Sequence, residues 1–256
     1  MPAITVFSSS NGLNVKTDPV RISSDLNSGI TDLAVAVNID HDQTGRISRR
    51  KGFSATSITA PCYSLWGDGD IALYGSTGFL WVIDESMVPK KVATLKHGGP
   101  ISYVKAFSKI FWVNGIDKGY VSDRAGSPWE ATEYVGVETR KKFIGPPSGR
   151  LVGYHNGRIY ICDNNALWFS EPFNPFLFDS VRGFVLFEGD IVAVGSLEKG
   201  LVVSDTTGTF FVGATDLGAI EVVTKISSGI IIPGTICSID GGNLGEGSFT
   251  GMGLLF

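Results

Sequence analysis

Charge is scarce in this chain. Asp, Glu, Lys and Arg make up 18% of its 256 residues, whereas hydrophobic residues make up 43%. This balance argues against disorder, which requires low hydrophobicity and high net charge. The net charge of −4 gives no reason to expect a general attraction to nucleic acid. Together with 33 glycines, the composition indicates a turn-rich β protein whose strands are buried on both faces.

Cysteine and histidine are also scarce, with three residues of each. Cys62, Cys162 and Cys237 lie far apart, outside any C-x-x-C motif, which argues against structural zinc. No histidine has a second histidine or a carboxylate at a spacing typical of metal ligands. Cys162 and Cys237 lie inside apolar runs, so we expect both to be small buried hydrophobic residues.

Long hydrophobic runs and helical periodicity are absent. The longest apolar run, Gly229–Gly234 (GIIIPG), is far too short to span a bilayer. The first residues, MPAITVFSSSNGLNVK, lack the basic and apolar regions of a secretory signal. Apolar residues do not recur at the spacing of an amphipathic helix. We therefore expect an all-β protein that is made and folded in the cytosol without a membrane anchor.

The chain does contain an internal repeat. Each copy has an apolar run, a polar turn, a second apolar run that begins at isoleucine, another turn, and a third apolar run that ends at an acidic residue. The copies are Tyr63–Asp84, Ser102–Asp123, Arg150–Glu171 and Gly183–Asp205, and their isoleucines are Ile71, Ile110, Ile159 and Ile191. Three or four short strands that recur about every 40 residues are typical of propeller blades. One such unit cannot bury its own apolar face, so neighbouring copies must pack side by side.

The repeat predicts the domain organisation. Residues 61–256 should form a β-propeller-like array of about five to six small antiparallel blades, with Glu221–Asp240 as a shortened fifth copy. Residues 1–60 lie outside the repeat but belong to the same overall domain. There, Asp32–Ile39 and Arg46–Gly52 read as strands that flank the turn Asp40–Gly45. This hairpin could close the ring by pairing with the last blade.

The polar motifs fit turns better than sites. Asp40–Gly45 (DHDQTG) begins like a calcium loop, but the twelfth position holds Lys51 instead of the required glutamate. Gly67–Asp70 (GDGD) pairs two carboxylates, yet the other repeats have unrelated residues at this place. A hydrolytic pair would need a second acid from another blade, and nothing singles one out. The candidates for that acid are Asp84, Asp123, Glu171 and Asp190.

No nucleophile or nucleotide motif supports an enzyme. The sequence lacks G-x-S-x-G, and no phosphate-binding glycine motif lies between a predicted strand and a helix. A Ser-His-Asp triad of distant residues stays open, because its members need not be neighbours in sequence. We predict no catalytic residue, no metal and no cofactor, and hence a protein that is not an enzyme.

Several segments resemble one group of phage virion proteins. They are Asn38–Phe53 (NIDHDQTGRISRRKGF), Tyr154–Tyr160 (YHNGRIY), Leu167–Pro175 (LWFSEPFNP), and Gly200–Asp205 with Thr209–Gly213. The first resembles the opening hairpin of those proteins, the next two a blade turn, and the last pair the blade that follows. The family that they resemble is the nozzle, or head-tail stabilisation, proteins of short-tailed phages.

This resemblance implies a structural component of the virion tail, assembled in the host cytoplasm as a nozzle- or adaptor-like ring at the tail tube. The implied partners are further copies in a homo-oligomeric ring of six, adaptor proteins and tail fibres, with DNA only passing through the channel. We expect contacts at a basic hairpin, at two aromatic residues and at the apolar C-terminus. These residues are Arg46, Arg49, Arg50, Lys51, Phe173, Phe176, Leu254, Leu255 and Phe256.

Some points stay open at the level of sequence. Phe173 and Phe176 are either a plug between blades or an exposed contact, and the last three residues are either buried or covered by another chain. A carbohydrate-binding or glycan-processing propeller is the alternative function, and it would need acids that converge at one mouth. A peptide-binding propeller scaffold is a third reading, although the strict signature in each blade is missing.

Overall fold

The computed structural model describes residues 9–14, 30–41, 45–52, 60–133, 141–214, 220–240 and 252–255. The chain forms two compact units, Met1–Thr56 and Ser57–Phe256. Every regular element in the described residues is a β-strand, so the all-β prediction is confirmed. In this part of the chain, no helix has the length and apolar character needed to cross a membrane.

The described residues of the first unit form four short strands. They are β1 (Ser9–Leu13), β2 (Ile30–Leu33), β3 (Ile39–His41) and β4 (Ile47–Arg49). β1 and β2 pair in parallel, whereas β3 and β4 form the predicted antiparallel hairpin. Turn residues 42–44 of that hairpin lie outside the described residues. The prediction of one strand over Asp32–Ile39 is wrong, because β2 ends at Leu33 and Asn38 has a φ of 56°, which a strand does not allow.

The described residues of the second unit form four larger sheets, numbered in chain order, and one two-stranded hairpin. Sheet 1 comprises β5 (Tyr63–Asp68), β6 (Ile71–Ser76), β7 (Phe79–Asp84) and β8 (Lys90–Thr94). Sheet 2 comprises β9 (Ser102–Ala106), β10 (Lys109–Val113), β11 (Lys118–Ser122) and β12 (Ala125–Pro128). Both are antiparallel meanders in which each strand pairs with the next one along the chain. Two-residue turns keep such connections short.

The other two sheets are also antiparallel, but only sheet 4 is a simple meander. Sheet 3 comprises β13 (Phe143–Ile144), β14 (Leu151–His155), β15 (Arg158–Asp163), β16 (Ala166–Glu171), β17 (Asn174–Asp179) and β18 (Phe184–Leu186). Sheet 4 comprises β19 (Ile191–Leu197), β20 (Gly200–Asp205), β21 (Gly208–Ala214) and β22 (Ile220–Ser227). In sheet 3, β17 and β18 share one side of β16, and β13 pairs with β17 instead of with the next strand along the chain. A separate hairpin follows, made of β23 (Cys237–Asp240) and β24 (Met252–Leu255).

The predicted fourth repeat is out of phase by one strand. Ile71, Ile110 and Ile159 lie in the second strand of the meanders that begin at β5, β9 and β14, but Ile191 begins the first strand of sheet 4. The preceding apolar run is β18, which pairs with β16 and so belongs to sheet 3. The prediction failed because an apolar run shows that a strand exists but not which sheet it joins.

The predicted fifth copy over Glu221–Asp240 is also wrong. Its first half is part of β22, the outer strand of sheet 4, and its second half is β23. Pro233 and Gly234 lie in the turn that separates them, where a strand could not continue. The described residues of the second unit therefore contain the four larger sheets and one two-stranded hairpin.

The sheets pack face to face, because alternate side chains of a strand enter the cores on the two sides of its sheet. In β10, Ile110 and Trp112 enter the core between sheets 1 and 2. Their neighbours Phe111 and Val113 enter the core between sheets 2 and 3. Successive side chains of a strand point to opposite faces, so β10 is buried on both sides. Full burial of such a side chain stabilises the fold by about 1.5–3 kcal/mol.

β15 and β20 do the same in sheets 3 and 4. Ile159 and Ile161 face sheet 2, whereas Tyr160 and Cys162 face sheet 4. Leu201 and Val203 of β20 complete the core between sheets 3 and 4. The four sheets thus pack one on the next in the order in which the chain forms them.

The C-terminal hairpin covers the far side of sheet 4. Ala193 and Val202 on that side form a small core with Ile231, Ile236 and Leu254. Leu254 is half-buried, and a Cβ on Gly195 would lie 2.8 Å from one of its methyl groups. Leu254 is therefore packed by its own chain. Phe256 lies outside the described residues, as does the side chain of Leu255.

Asp205 fixes the turn between β20 and β21. Its carboxylate is fully buried and accepts hydrogen bonds from the Thr207 N–H and hydroxyl and from the N–H groups of Gly189 and Gly208. Burial alone would raise the pKa of Asp205, but these hydrogen bonds lower it below its ordinary value. The ionised carboxylate therefore stabilises the fold.

Replacing this carboxylate should destabilise the protein. Asp205→Asn sets an amide N–H₂ against several N–H donors, so we expect a loss of about 2–3 kcal/mol in the free energy of unfolding. The matched control is Asp163→Asn, at the end of β15, where the carboxylate is half-buried and accepts a hydrogen bond from the Asn164 side chain. The control should change stability by less than about 0.5 kcal/mol.

The loss should depend on pH. Since the folded pKa of Asp205 lies below its ordinary value of 3.8, the stabilisation is complete above that value. It disappears as the pH falls through the folded pKa. Urea denaturation between neutral and acid pH measures this difference. Equal losses for the two variants at neutral pH would contradict the role assigned to Asp205.

Candidate functional site

A cleft opens between sheets 1 and 2 at the tips of their hairpins. Its volume is about 270 Å³, and we call it the tip cleft. It is lined by polar residues from the tips and by apolar residues from the strands below. These are Asp68, Asp70, Lys105, Ser108, Ser122, Asp123 and Arg124, with Ile71, Ile110 and Val121.

The meander brings the acids of the tip cleft together. Asp68 ends β5 and lies opposite Ile71, which in turn lies opposite Asp84 at the end of β7. Asp70 occupies the turn between β5 and β6, and Asp123 follows β11 in the neighbouring sheet. In a meander, the first turn and the end of the third strand lie at the same end of the sheet, where the strands turn. This rule could have grouped these acids from the sequence alone.

Two ion pairs bridge the sheets at this cleft. Lys105 of sheet 2 pairs with Asp68 of sheet 1, and the Arg124 Nη1 lies 2.7 Å from the Asp84 Oδ2. Hydrogen bonds from Ser86, together with the Arg124 guanidinium, lower the pKa of Asp84 below its ordinary value. Exposed pairs of this kind add little stability, typically about 0–1 kcal/mol.

The remaining two acids of the cleft are accessible from solvent. Asp70 and Asp123 are exposed, and neither forms an ion pair within the described part of the chain. Asp123 accepts a hydrogen bond of 3.3 Å from the Ser122 hydroxyl. The tip cleft therefore offers two carboxylates beside two neutralised ones, which suits hydrogen bonding to hydroxyl groups or attraction of a cation.

Glu171 and Asp190 lie elsewhere. Glu171 pairs with Lys141 at 2.8 Å at the tip of sheet 3, and Asp190 precedes β19. Among the described residues, no group of three His, Cys, Asp or Glu side chains is placed to hold a metal ion. Of the acids that sequence left equivalent, the structure brings together only those of sheets 1 and 2.

The predicted aromatic contacts separate into two environments. Phe173 lies in the turn between β16 and β17 with a φ of 55° and is 63% exposed. Its ring covers Gly157 of the adjacent turn, where a Cβ would lie 2.8 Å away. Phe176 is half-buried, with its ring centroid 5.7 Å from that of Tyr120 and 6.1 Å from that of Phe111. Only Phe173 is presented at the surface.

The buried Arg158 side chain joins β15 to β16 near the turn that carries Phe173. The Arg158 Nη1 donates to the Ser170 carbonyl at 2.5 Å, and its guanidinium lies 5.3 Å from the centre of the Phe169 ring. Burial lowers the pKa of Arg158 from its usual value, while Glu171 opposes this shift. The strand ends next to the Phe173 turn are therefore held together by the contacts of Arg158.

In the described part of the first unit, the basic residues lie on or next to the β3–β4 hairpin. Arg46, Arg49, Arg50 and Lys51 are all exposed. The Arg50 Nε lies 3.1 Å from the Asp40 Oδ1, with both side chains more than half exposed. The hairpin thus carries more positive than negative charge in its described residues, as the sequence predicted.

The cysteines are free and differ in burial. Cys162 is buried between sheets 3 and 4, and burial raises its pKa. The prediction that Cys237 is buried is wrong, since it is exposed. It lies in a two-stranded hairpin, and two strands cannot enclose both of their faces.

Comparisons with known proteins give no functional assignment. No protein-family model matches the chain, and no curated protein matches it either. The solved structures similar to it include the "Crystal structure of the computationally designed Ika8 protein: crystal packing No.1 in P63". The TM-score is 0.43 at 12% identity, over 82% of this chain and 57% of that one. The chain therefore spans less than two thirds of that protein.

The backbone of the tip cleft is strained at Ser108. Phe107 and Ser108 form the two-residue turn between β9 and β10, with φ values of 51° and 57°. Such a turn requires positive φ at both positions and favours Asn-Gly, because other residues are costly there. We expect Ser108→Gly to stabilise the protein by about 0.5–1 kcal/mol.

The measurement is the urea midpoint at constant slope. Ser122→Gly is the control, since Ser122 lies within β11, where glycine weakens a strand by about 0.5–1 kcal/mol. Opposite signs for the two variants support the turn geometry. A destabilising effect of Ser108→Gly would contradict it.

Proposed function

We propose that this chain is a structural subunit of a phage tail, nozzle- or adaptor-like, which self-assembles into a ring at the tail tube. The observation that carries this proposal is the place of the phage-like segment LWFSEPFNP. This segment spans most of β16, the turn with Phe173 and the start of β17. Its most family-specific part, SEPFNP, therefore contains an exposed turn. The chain is proposed to act in the virion and not as an enzyme.

In this proposal, the four meanders are successive blades of a propeller-like domain. Their face-to-face packing in chain order is what blades require. The hairpin of β23 and β24 is proposed to belong to a further blade, and the β3–β4 hairpin to supply closing strands. Closure would remove exposed sheet edges at the two ends of the array.

Charge provides the proposed contact between copies. The hairpin residues Arg49, Arg50 and Lys51 are exposed, and the tips of sheets 1 and 2 carry the exposed Asp70 and Asp123. Opposite charges on different segments of one chain suit a head-to-tail contact, which forms a ring when its rotation closes. Rim charges of this kind steer and orient association more than they tighten it. The ring is proposed to hold six copies and to meet adaptor proteins and tail fibres, with DNA passing through its channel.

Assembly kinetics test this proposal. Arg49→Ala together with Arg50→Ala should slow ring formation severalfold without changing the unfolding midpoint, because only steering is lost. Lys199→Ala is the matched control, since Lys199 is an exposed cation in the turn between β19 and β20. Light scattering follows the rate, and electron microscopy of the product shows its symmetry.

A second experiment tests the proposal in phage particles. Antibodies against the chain should label the tail in electron micrographs. Particles that assemble normally and infect without the protein would overturn the proposed function, and so would a purified protein that never forms rings at any concentration.

A carbohydrate-binding role is the second candidate, and the tip cleft favours it. Free carboxylates beside ion-paired ones can accept hydrogen bonds from sugar hydroxyls. If glycans bind there, Asp70→Asn together with Asp123→Asn should weaken binding at least about tenfold, because charged hydrogen bonds contribute roughly 1.5–3 kcal/mol each. Asp163→Asn on β15 is the control. Titration calorimetry against a glycan panel decides, and binding that is absent or unchanged in the double variant rejects this role.

A further inference from the structure

One histidine lies at the contact between sheets 3 and 4. His155 is the last residue of β14, and it lies directly opposite Arg158 across a two-residue turn. Only 9% of its surface is exposed. Leu151 of the same strand packs against the core between sheets 3 and 4. Because alternate residues of a strand share a face, the His155 side chain points toward sheet 4.

Two hydrogen bonds join this end of β14 to β19. The Ser196 hydroxyl donates to the Tyr154 carbonyl at 2.5 Å. The next residues along both strands are also joined, because the His155 ring forms a hydrogen bond with the backbone of Leu197. The β14–β15 hairpin is therefore tied to sheet 4 next to its turn.

Sheet 4 offers no carboxylate to a charged His155. β19 contains no ionisable residue, and neither does β21. The ionisable residue of β20 is Asp205, which lies at the far end of that strand from Gly200, the partner of Leu197. Glu198 and Lys199 follow β19, but both are exposed in the turn.

Sheet 3 places a cation and a phenol on the same face as His155. The Arg158 guanidinium reaches across to the Ser170 carbonyl of β16, on the side of β15 away from β14. Burial raises the pKa of Tyr160, so its phenol stays neutral. Glu171, at the end of β16, pairs with Lys141. Protonation of His155 would therefore add a second positive charge to this face without a carboxylate to balance it.

Burial favours the neutral ring in the folded chain. It lowers the pKa of His155 below the ordinary value of 6.5, and the hydrogen bond to Leu197 opposes this shift. A released or unfolded segment binds the proton more readily than the folded one. The contact is therefore at full strength above about pH 6.5 and weakens as the pH falls toward the folded pKa.

The repeat itself does not require histidine at this position. In sheet 2, the corresponding last residue of the first strand is Ala106, which is also buried. The β9–β10 hairpin thus has the same place in its sheet without a buried histidine. Sheet 2 provides an internal control for any effect of acid on sheet 3.

The turn that follows His155 supports the exposed Phe173. The Phe173 N–H donates to the Gly157 carbonyl at 2.7 Å, and the Phe173 ring occupies the space that a side chain on Gly157 would fill. Movement of the β14–β15 turn away from sheet 4 would therefore loosen the turn between β16 and β17 as well.

We propose that His155 makes the contact between sheets 3 and 4 sensitive to acid: its protonation releases the end of the β14–β15 hairpin from β19 and loosens the turn that carries Phe173, while the rest of the fold stays in place. This is a property of a single chain. It holds or fails independently of the tail proposal.

Hydrogen exchange measured by mass spectrometry at about pH 7.5 and about pH 5.5 tests the release. Relative to intrinsic exchange rates, the amides of Arg158 and Phe173 should lose protection by up to about tenfold at the lower pH, one unit below the ordinary pKa. The amides of β10 in sheet 2 should keep their protection. Equal losses in the two sheets would show a global effect, and an unchanged sheet 3 would show no release. Either result overturns the proposal.

Two variants assign the response to one residue. His155→Gln removes the titration and keeps a donor for the backbone of Leu197, so the tenfold response to acid should disappear. His97→Gln is the matched control, because His97 is exposed, and it should respond as the parent chain does. His155→Ala, which gives sheet 3 the residue that sheet 2 has at this place, should also abolish the response. An acid response that persists in both variants of His155 overturns the proposal.

Discussion

The fold depends on strands that are buried on both faces. β10, β15 and β20 each send alternate side chains into two different cores, so no sheet can satisfy its apolar surface by itself. Removing one sheet would expose one face of each neighbour, and a single meander of this kind would not be stable in water. Most strands pair with the next one along the chain, and the exceptions are β13 with β17 and β18 with β16 in sheet 3, so most contacts within a sheet are local. The contacts between sheets then follow from chain order.

This constraint explains what the sequence could predict. The runs KIFWV, RIYIC and GLVVS are apolar at both parities, as strands buried on both faces must be, and the turns between them contain the expected polar and glycine residues. The meanders of sheets 1, 2 and 3 were predicted on this basis. The phase of sheet 4 was not, because β18 and β19 are both short apolar runs, and only the pairing of β18 with β16 assigns it to sheet 3. Pairing partners are a property of the folded chain, so periodicity does not reveal them.

The tip cleft was partly predictable for a related reason. Meander geometry places Asp68, Asp70 and Asp84 at one end of the strands of sheet 1. It does not show that Lys105 and Arg124 of sheet 2 neutralise two of the four carboxylates, since those ion pairs cross between sheets. The separation of Phe173 from Phe176 could not be predicted either. Pro172 and Phe173 form the turn, whereas Pro175 lies within β17, where its carbonyl accepts a hydrogen bond of 2.9 Å from the Trp129 indole. Two prolines three residues apart exclude a helix but do not tell which of them is in the turn.

A stack of repeated sheets leaves an apolar face at its end, and sheet 4 shows how the chain resolves this. Ala193 and Val202 continue the alternating pattern on the side away from sheet 3, although no fifth meander follows in the described residues. Ile231, Ile236 and Leu254 cover that face from a loop and a two-stranded hairpin. Apolar residues near the C-terminus are therefore part of the core of sheet 4. This cover lies on the face of the sheet, and in the described residues the outer side of β22 pairs with no further strand. β-Bulges at Glu221 and Ile226 interrupt this outer strand, and bulges of this kind oppose the pairing of an edge strand with another chain.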